Sequence, residues 1–215
     1  MDESARAAIW YAENGAISDS TLNGIKAVRE CSNIRLANCQ INSPEFGWKS
    51  RGIALSDCQV DSEYFLLDSR DVTLDRVKMK GKYSFQYMEN LEIASCELDT
   101  KDAFWHSKNV VVCNSVIKGE YLGWFSEGLI LVRCRIIGTQ PLCYCKNLKL
   151  VDCIMEDADL AFEYSDVEAE IRGHLLSVKN PKSGTITADS VGDVIWDDPV
   201  MECTGKIMLR GAMAL

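Results

Sequence analysis

The sequence predicts an all-β chain, a single-stranded right-handed parallel β-helix of about ten nineteen-residue coils with three short strands per coil. Three observations support this prediction. A nine-residue motif recurs every nineteen residues, apolar residues alternate within it at a period of two, and a turn-forming residue opens most copies. Because one such unit cannot bury its own apolar face, the units must stack on one another.

The motif starts at residues 33, 52, 71, 90, 109, 128 and 147, as in NLEIASCEL from Asn90 onward. The register extends back to residue 14 and, more weakly, forward to the segments at 166 and 185, which gives ten units without an insertion. The alternation breaks once, which predicts two short strands with a bend between them. A corner is predicted at the opening residues, which tolerate a left-handed backbone: Asn33, Gly52, Asp71, Asn90, Asn109, Gly128, Asn147 and Asp166.

The second half of each unit is rich in aromatic residues and predicts a third strand. Strict alternation would place one column of these residues in the core: Trp10, Arg29, Trp48, Leu67, Gln86, Trp105, Trp124, Cys143 and Phe162. A leucine-rich repeat is disfavoured because serine occupies the position where that repeat needs an apolar residue, at Ser50, Ser69, Ser107 and Ser126. A left-handed β-helix would need eighteen-residue coils built from hexapeptides.

Small residues recur in one inward column, in which Cys39 lies over Cys58 and Cys134 over Cys153, joined by Val77, Cys96 and Ser115. Ten cysteines in a chain with no leader segment and no glycosylation sequon are expected to be buried free thiols in a reducing, cytoplasmic compartment. The chain has only two histidines and no Cys-x-x-Cys motif, so neither a metal nor another cofactor is predicted.

The formal charge of −9, from 32 acidic and 23 basic residues, disfavours nucleic acid as a partner. No segment has the length of apolar sequence that a transmembrane helix needs. Residues 1–196 are predicted to form the β-helix, with an incomplete first coil, and residues 197–215 a C-terminal cap or tail. An uncapped first coil exposing Ile9 and Trp10 would favour end-to-end homo-oligomers.

The sequences of the predicted third strands resemble those of a known protein family. Segments such as SPEFGWKS, GKYSFQYMEN, DAFWHSKNV and GEYLGWFSE are similar to those of an uncharacterised bacterial family, a domain of unknown function with a pectate-lyase-like fold. The resemblance covers the chain to about residue 197. It implies a right-handed β-helix and a bacterial origin, and it supplies no activity and no catalytic residues.

The third strands also carry the candidate site. An outer face of aromatic rings mixed with charged groups is typical of a binding surface, because large exposed apolar patches seldom occur without a partner. Flat rings suit sugar rings, and carboxylates suit their hydroxyl groups. The predicted ligand-binding residues are Lys49, Tyr64, Tyr83, Tyr87, Phe104, Tyr121, Phe125, Tyr144 and Glu163.

The candidate catalytic residues on this face are His106, Asp102 and Asp68. Asp68 lies two coils from His106, at about 10 Å, and Asp102 lies four strand residues from it, at about 13 Å, so the spacing provides no carboxylate-histidine relay. The sequence favours a module that binds carbohydrate on its aromatic and acidic face. It leaves open a carbohydrate-active enzyme on the same face and a protein-interaction scaffold.

Overall fold

The computed structural model describes residues 8–197 and 199–211. They form a right-handed parallel β-solenoid of about eleven turns with about nineteen residues per turn, which confirms the predicted fold class. No helix occurs within these residues, and hence none that could cross a bilayer. The remaining residues, 1–7, 198 and 212–215, lie outside the described chain, including the outer parts of the predicted first coil and C-terminal cap.

The first side of the coil carries one strand from each turn, and successive strands pair in parallel. These strands are β2 (Glu13–Ser18), β5 (Ser32–Ala37), β7 (Arg51–Ser56), β9 (Arg70–Asp75), β11 (Glu89–Ala94), β13 (Lys108–Cys113), β15 (Glu127–Val132), β17 (Leu148–Glu156), β18 (Asp166–Arg172), β20 (Ser183–Ala188) and β22 (Lys206–Leu209).

The second side is built from shorter parallel strands, and β17 continues around the corner to contribute to both sides. These strands are β3 (Thr21–Asn23), β6 (Gln40–Asn42), β8 (Gln59–Ser62), β10 (Lys78–Lys82), β12 (Glu97–Lys101), β14 (Val116–Lys118) and β16 (Arg135–Ile137). Two further pairs complete the sheets, β1 (Ile9–Trp10) with β4 (Val28–Arg29) and β19 (His174–Lys179) with β21 (Ser190–Ile195).

The predicted corner is present where the motif opens. Asn14, Asn33, Asn90, Asn109 and Asn147 all have a left-handed backbone, with φ between 50° and 57°. Their side-chain amides also stack from coil to coil, as where Asn33 Nδ2 donates to Asn14 Oδ1 at 3.1 Å. The same residue type therefore forms the turn and links it to the neighbouring coil.

The predicted cysteine column is confirmed as part of the core. Cys39, Cys58, Cys96, Cys134 and Cys153 are at most 3% exposed. All ten cysteines are free thiols, eight of them buried, and Cys113 and Cys203 are partly exposed. These thiols pack as small apolar groups beside the larger aliphatic columns of the two sheets.

The third side of most coils is a turn segment and not the predicted third strand. Every second residue is left-handed here, as at Asp102, Phe104 and His106, with φ of 55°, 62° and 55°. A left-handed bulky residue costs about 1–2 kcal/mol. Inter-coil hydrogen bonds hold this conformation, for example from the Tyr83 N–H to the Lys101 carbonyl at 2.9 Å.

Because this backbone does not alternate like a strand, the predicted core column is wrong in most of its length. Two consecutive residues point inward in each turn, such as Phe65 with Leu66 and Ala103 with Phe104, all fully buried. The column assigned to the core lies at the surface or half-buried from Trp10 to Trp124, and only its members Cys143 and Phe162 are buried. Phe104 therefore belongs to the core and is removed from the predicted ligand-binding set.

The nineteen-residue register does not continue without interruption to the end of the chain. The pairing of β17 with β18 shifts by one residue after Leu150, and β18 pairs with β20 at a separation of seventeen residues, with Val167 opposite Gly184. The predicted alignment therefore holds for the start of the unit at 166, where Leu148 pairs with Val167, and is wrong for the unit at 185. Strand β22, inside the segment predicted as a cap or tail, adds a further rung by pairing with β20.

Serine forms a second buried column, at the position that argued against leucine-rich repeats. Ser50, Ser69, Ser107 and Ser126 are at most 3% exposed. The Ser69 hydroxyl accepts a hydrogen bond from the Ser50 N–H at 3.0 Å and donates to the Gly47 carbonyl at 2.7 Å. The hydroxyls of Ser50, Ser69 and Ser107 thus bond backbone groups that the turn segment leaves unpaired inside the solenoid. The Ser126 hydroxyl donates instead to Cys145 Sγ at 3.4 Å.

Replacing Ser69 by Ala should destabilise the protein by about 1–3 kcal/mol, because the buried Ser50 N–H loses its acceptor. Urea unfolding followed by circular dichroism measures the effect. Ser69→Cys should cost less, since Cys31 and Cys145 occupy the same column and are buried there. The exposed Ser20→Ala variant is the matched control, and equal midpoints for Ser69→Ala and Ser20→Ala would contradict the assigned role.

Candidate functional site

Four rings on the third side form a continuous stack, which we call the aromatic ladder: Tyr87, His106, Phe125 and Tyr144. Their successive centroid distances are 5.1, 4.9 and 4.8 Å, with interplanar angles of 8°, 6° and 16°. Each member comes from the same position in consecutive coils, so the coil spacing sets the ring spacing. The sequence predicted this outward column correctly.

The two ends of the aromatic ladder differ. Inner rings have a neighbour on each face, and at the C-terminal end Tyr144 packs on Tyr164 at 5.5 Å. The Tyr164 hydroxyl accepts a hydrogen bond from the Val200 N–H at 3.3 Å, which links the C-terminal segment to that end. Tyr87 at the other end is 55% exposed, and no ring of the described chain stacks on its second face. The open ring face of the ladder is therefore at Tyr87.

A cleft of about 390 Å³ lies beside this open face, and we call it the Tyr87 cleft. Trp48 and Leu67 contribute apolar surface to the cleft. Asp68 and Lys49 contribute charge, and they occupy the position of the ladder rings in the two preceding coils. The complete lining is Arg29, Trp48, Lys49, Leu67, Asp68 and Tyr87. A more polar cleft of about 450 Å³ adjoins it and shares Lys49, Asp68 and Tyr87.

Three residues of the Tyr87 cleft, Arg29, Trp48 and Leu67, were assigned to the core by sequence alternation. The Trp48 indole N–H donates to the Tyr64 carbonyl at 2.7 Å, which lays the ring along the surface. The sequence contained one indication that this core assignment is wrong. Phe65 and Leu66 are two consecutive large apolar residues, which an alternating strand cannot bury together. That doublet indicates a turn and moves the next residue, Leu67, outward.

A second column carries tyrosines beside the tryptophan column. Tyr64 and Tyr83 stack at 5.1 Å, and Tyr121 meets Trp124 edge-on at 5.4 Å. Asp102 occupies the position between Tyr83 and Tyr121 and is only 7% exposed. Its carboxylate accepts no hydrogen bond from any described residue, and burial raises the pKa of this carboxyl above its usual value.

The remaining predicted site residues lie apart from the Tyr87 cleft. Glu163 is half-buried near the C-terminal end, where its carboxylate pairs with Lys179 at 3.0 Å. Phe125 and Tyr144 are inside the aromatic ladder, and Tyr121 is in the tyrosine column. The residues predicted from the sequence are therefore spread along the third side. In the described chain, the exposed ring face, the apolar floor and the unpaired charges lie together only at the Tyr87 end.

The three candidate catalytic residues occupy three different environments. Asp68 is exposed in the Tyr87 cleft, Asp102 is buried in the tyrosine column, and the His106 imidazole is stacked between Tyr87 and Phe125. Within residues 8–197 and 199–211, no hydrogen bond joins any two of the three side chains. This geometry agrees with the sequence spacing, which provided no relay.

A larger groove, of about 590 Å³, lies along the outer surface of the second side. Most of its lining residues are polar or charged, including the exposed ion pair of Lys78 with Glu97 at 3.1 Å, and four are apolar: Val60, Met79, Leu98 and Val116. No aromatic ring lines it. Alternating charges on a sheet surface are sufficiently explained by hydration and mutual pairing, so this groove is a weaker candidate than the Tyr87 cleft despite its size.

Asp102→Asn should alter the pH dependence of stability in a defined direction. Because folding raises the pKa of Asp102, the wild-type carboxyl favours the folded state at low pH, and that contribution is lost as the pH rises through the folded-state pKa. The stability of the variant relative to wild type should therefore increase between about pH 3 and about pH 7. Urea unfolding at several pH values tests this, with the exposed Asp68→Asn as control. A difference that is independent of pH would contradict the assigned burial effect.

Comparison with solved structures finds four similar chains, of which two are described here, both with weak similarity. QnrB1, a plasmid-mediated fluoroquinolone resistance protein, is 10% identical, with 91% of each chain covered and a TM-score of 0.36. The catalytic domain of a GH87 α-1,3-glucanase in complex with nigerose is 10% identical, with 86% of this chain and 56% of that chain covered and a TM-score of 0.28. Similarity at this level carries no information about activity.

A comparison with curated proteins finds no match to this chain. A family model described as "Protein of unknown function (DUF3737)" matches residues 1–208, almost the whole length, which confirms the resemblance noted from the turn-segment texts. The chain belongs to the DUF3737 family of parallel β-helix proteins.

Proposed function

We propose that the protein is a β-helix binding module that holds a neutral sugar ring in the Tyr87 cleft. The observation that supports this most directly is the open ring face of Tyr87 at the end of the aromatic ladder. A pyranose ring stacked there would continue the ladder by one position, above Asp68. The volume of the cleft, about 390 Å³, lies within the usual range for small-molecule sites.

The chemistry of the cleft suits a sugar because apolar and polar groups are segregated within it. Trp48 and Leu67 offer an apolar floor, and the Tyr87 ring offers a flat wall for the C–H groups of a pyranose. Asp68 and Lys49, which form no ion pair within the described chain, offer an acceptor and a donor for hydroxyl groups. This combination of an apolar surface with a few polar groups is typical of ligand sites.

The interior of the aromatic ladder supports this assignment by elimination. His106, Phe125 and Tyr144 already have a ring against each face, so a sugar meets mainly their edges. The sugar-binding surface proposed from the sequence extends over the outer face from Lys49 to Glu163, and the present proposal narrows it to the end at Tyr87. A scaffold that buried the ladder against another protein would instead engage these edges along its full length.

Replacing Tyr87 by Ala should weaken sugar binding by about fivefold or more, because a ring contact contributes about 1 kcal/mol. A glycan array read with the wild-type protein identifies the glycan, and isothermal titration measures the variants. Tyr87→Phe should retain most of the affinity, and Tyr144→Ala, at the covered end of the ladder, should leave it unchanged. Absence of any glycan binding, or equal losses for Tyr87→Ala and Tyr144→Ala, would overturn the proposal.

Binding and catalysis can be separated with the same protein. A carbohydrate-active enzyme on this face would release reducing ends from the glycan it binds, and Asp102→Asn or His106→Ala would stop that release while affinity is retained. A binding module releases none in either form. Because Asp68, Asp102 and His106 are not joined by hydrogen bonds, we expect binding without turnover, as followed by a reducing-end assay.

A further inference from the structure

We propose that the protein has a second binding site, separate from the Tyr87 cleft and independent of sugar binding, in which a guanidinium group inserts between Tyr83 and Tyr121 and pairs with Asp102. The ligand is an arginine side chain or another molecule that carries a guanidinium group. The site consists of one ring on each side and a buried carboxylate at the base.

The spacing of the coils sets the distance between the two tyrosines, with the Asp102 side chain in the coil between them. Tyr83 and Tyr121 occupy the same column two coils apart, which separates them by about 9.6 Å. A planar group midway between them lies about 4.8 Å from each ring, inside the range of aromatic stacking. Tyr83 uses its other face to stack on Tyr64 at 5.1 Å, and no ring of the described chain covers the faces toward Asp102.

The carboxylate of Asp102 lacks a partner at the base of this gap. The residue is 7% exposed, and neither carboxylate oxygen accepts a hydrogen bond within the described chain. Lys101 lowers the pKa of Asp102 but forms no ion pair with it in the described chain. Lys82 Nζ lies 5.6 Å from the centroid of the Tyr83 ring, and it pairs with Glu63 at 3.2 Å. The carboxylate oxygens keep some contact with solvent, whereas burial of most of the residue disfavours their charged form, so an incoming cation would offset that cost.

The same fold already contains this arrangement one column away. The guanidinium of Arg29 lies 5.6 Å from the ring of Trp10 and 5.6 Å from the ring of Trp48, which are also two coils apart. Its Nε donates to the Glu30 carboxylate at 2.9 Å. An aromatic, guanidinium, aromatic sandwich with an acidic partner is therefore compatible with the coil spacing. At Tyr83 and Tyr121 the intervening coil supplies the acid, and the cation must come from outside.

Guanidinium is favoured over ammonium for two reasons. Its planar shape matches a gap bounded by two parallel layers, and its paired N–H groups can bind a carboxylate with two hydrogen bonds. It is also less strongly hydrated than an ammonium group, so it enters a partly buried site more readily. An ammonium group offers a point charge without the flat surface that both tyrosines would cover.

Nuclear magnetic resonance titration of the full chain with N-acetylarginine amide tests the proposal. We expect saturable shifts of the backbone amides of Tyr83, Asp102 and Tyr121, with weaker binding of N-acetyllysine amide. Asp102→Asn should lower the affinity for the arginine probe by at least about tenfold, because a charged hydrogen-bond acceptor is lost. Tyr121→Ala should also weaken it, whereas Tyr121→Phe keeps the ring and should retain binding.

Three results would overturn the proposal: no saturable shifts with the arginine probe, equal affinity for the lysine probe, or unchanged affinity in Asp102→Asn. The matched control is Asp68→Asn, which removes an exposed acid on the same side and should leave binding of the arginine probe unchanged. Thermal unfolding of each variant checks that the solenoid is intact. Because Tyr87→Ala should leave binding of the arginine probe unaffected, failure at one site is distinguishable from failure at the other.

Discussion

Hydrogen bonding between backbone groups of adjacent coils is the constraint on which the rest of this structure depends. It sets a repeat of about 4.8 Å along the axis. In the coils of equal length, before the register shift after Leu150, each side chain therefore lies against the equivalent side chain of the next coil. Small thiols stack on small thiols in the core, amides on amides at the corner, and rings on rings at the surface. The aromatic ladder needs no separate explanation for its regular spacing, since the backbone sets it.

The two strand-bearing sides could be predicted from the sequence because their side chains follow the period of a strand. The corner residues, the buried cysteines and the outward column of Tyr87, His106 and Phe125 were all placed correctly on that basis. The third side could not be predicted in this way. Every second residue there has a left-handed backbone, and as a result two consecutive side chains point into the core. Bulky residues such as Phe85 and Phe104 rarely adopt this conformation, so local preference gave no indication of it.

The same departure explains why the candidate sites were only partly predicted. Sequence periodicity identified the face and most of its rings, yet it assigned Trp48 and Leu67 to the core and so missed the floor of the Tyr87 cleft. It named Asp102 as a candidate catalytic residue on the outer face but could not predict its burial or its missing partner, since neither leaves a trace in the residue pattern. Both proposed sites lie where a column changes from a ring to an acid, at Asp68 beside Tyr87 and at Asp102 between Tyr83 and Tyr121. Such a change can be interpreted only once the column itself is placed correctly.

The break in register after Leu150 divides the solenoid into two parts that differ in how readily whole coils can be gained or lost in evolution. Up to that residue all coils have equal length, so a duplication or deletion of one whole coil would reconnect every column and change the length of the rod by a single step. Beyond it, pairings at seventeen and twenty-one residues make each coil individual. Relatives of different length are thus expected to differ in the number of uniform coils and to share the irregular C-terminal end, which would act as a constant base for a surface of adjustable extent.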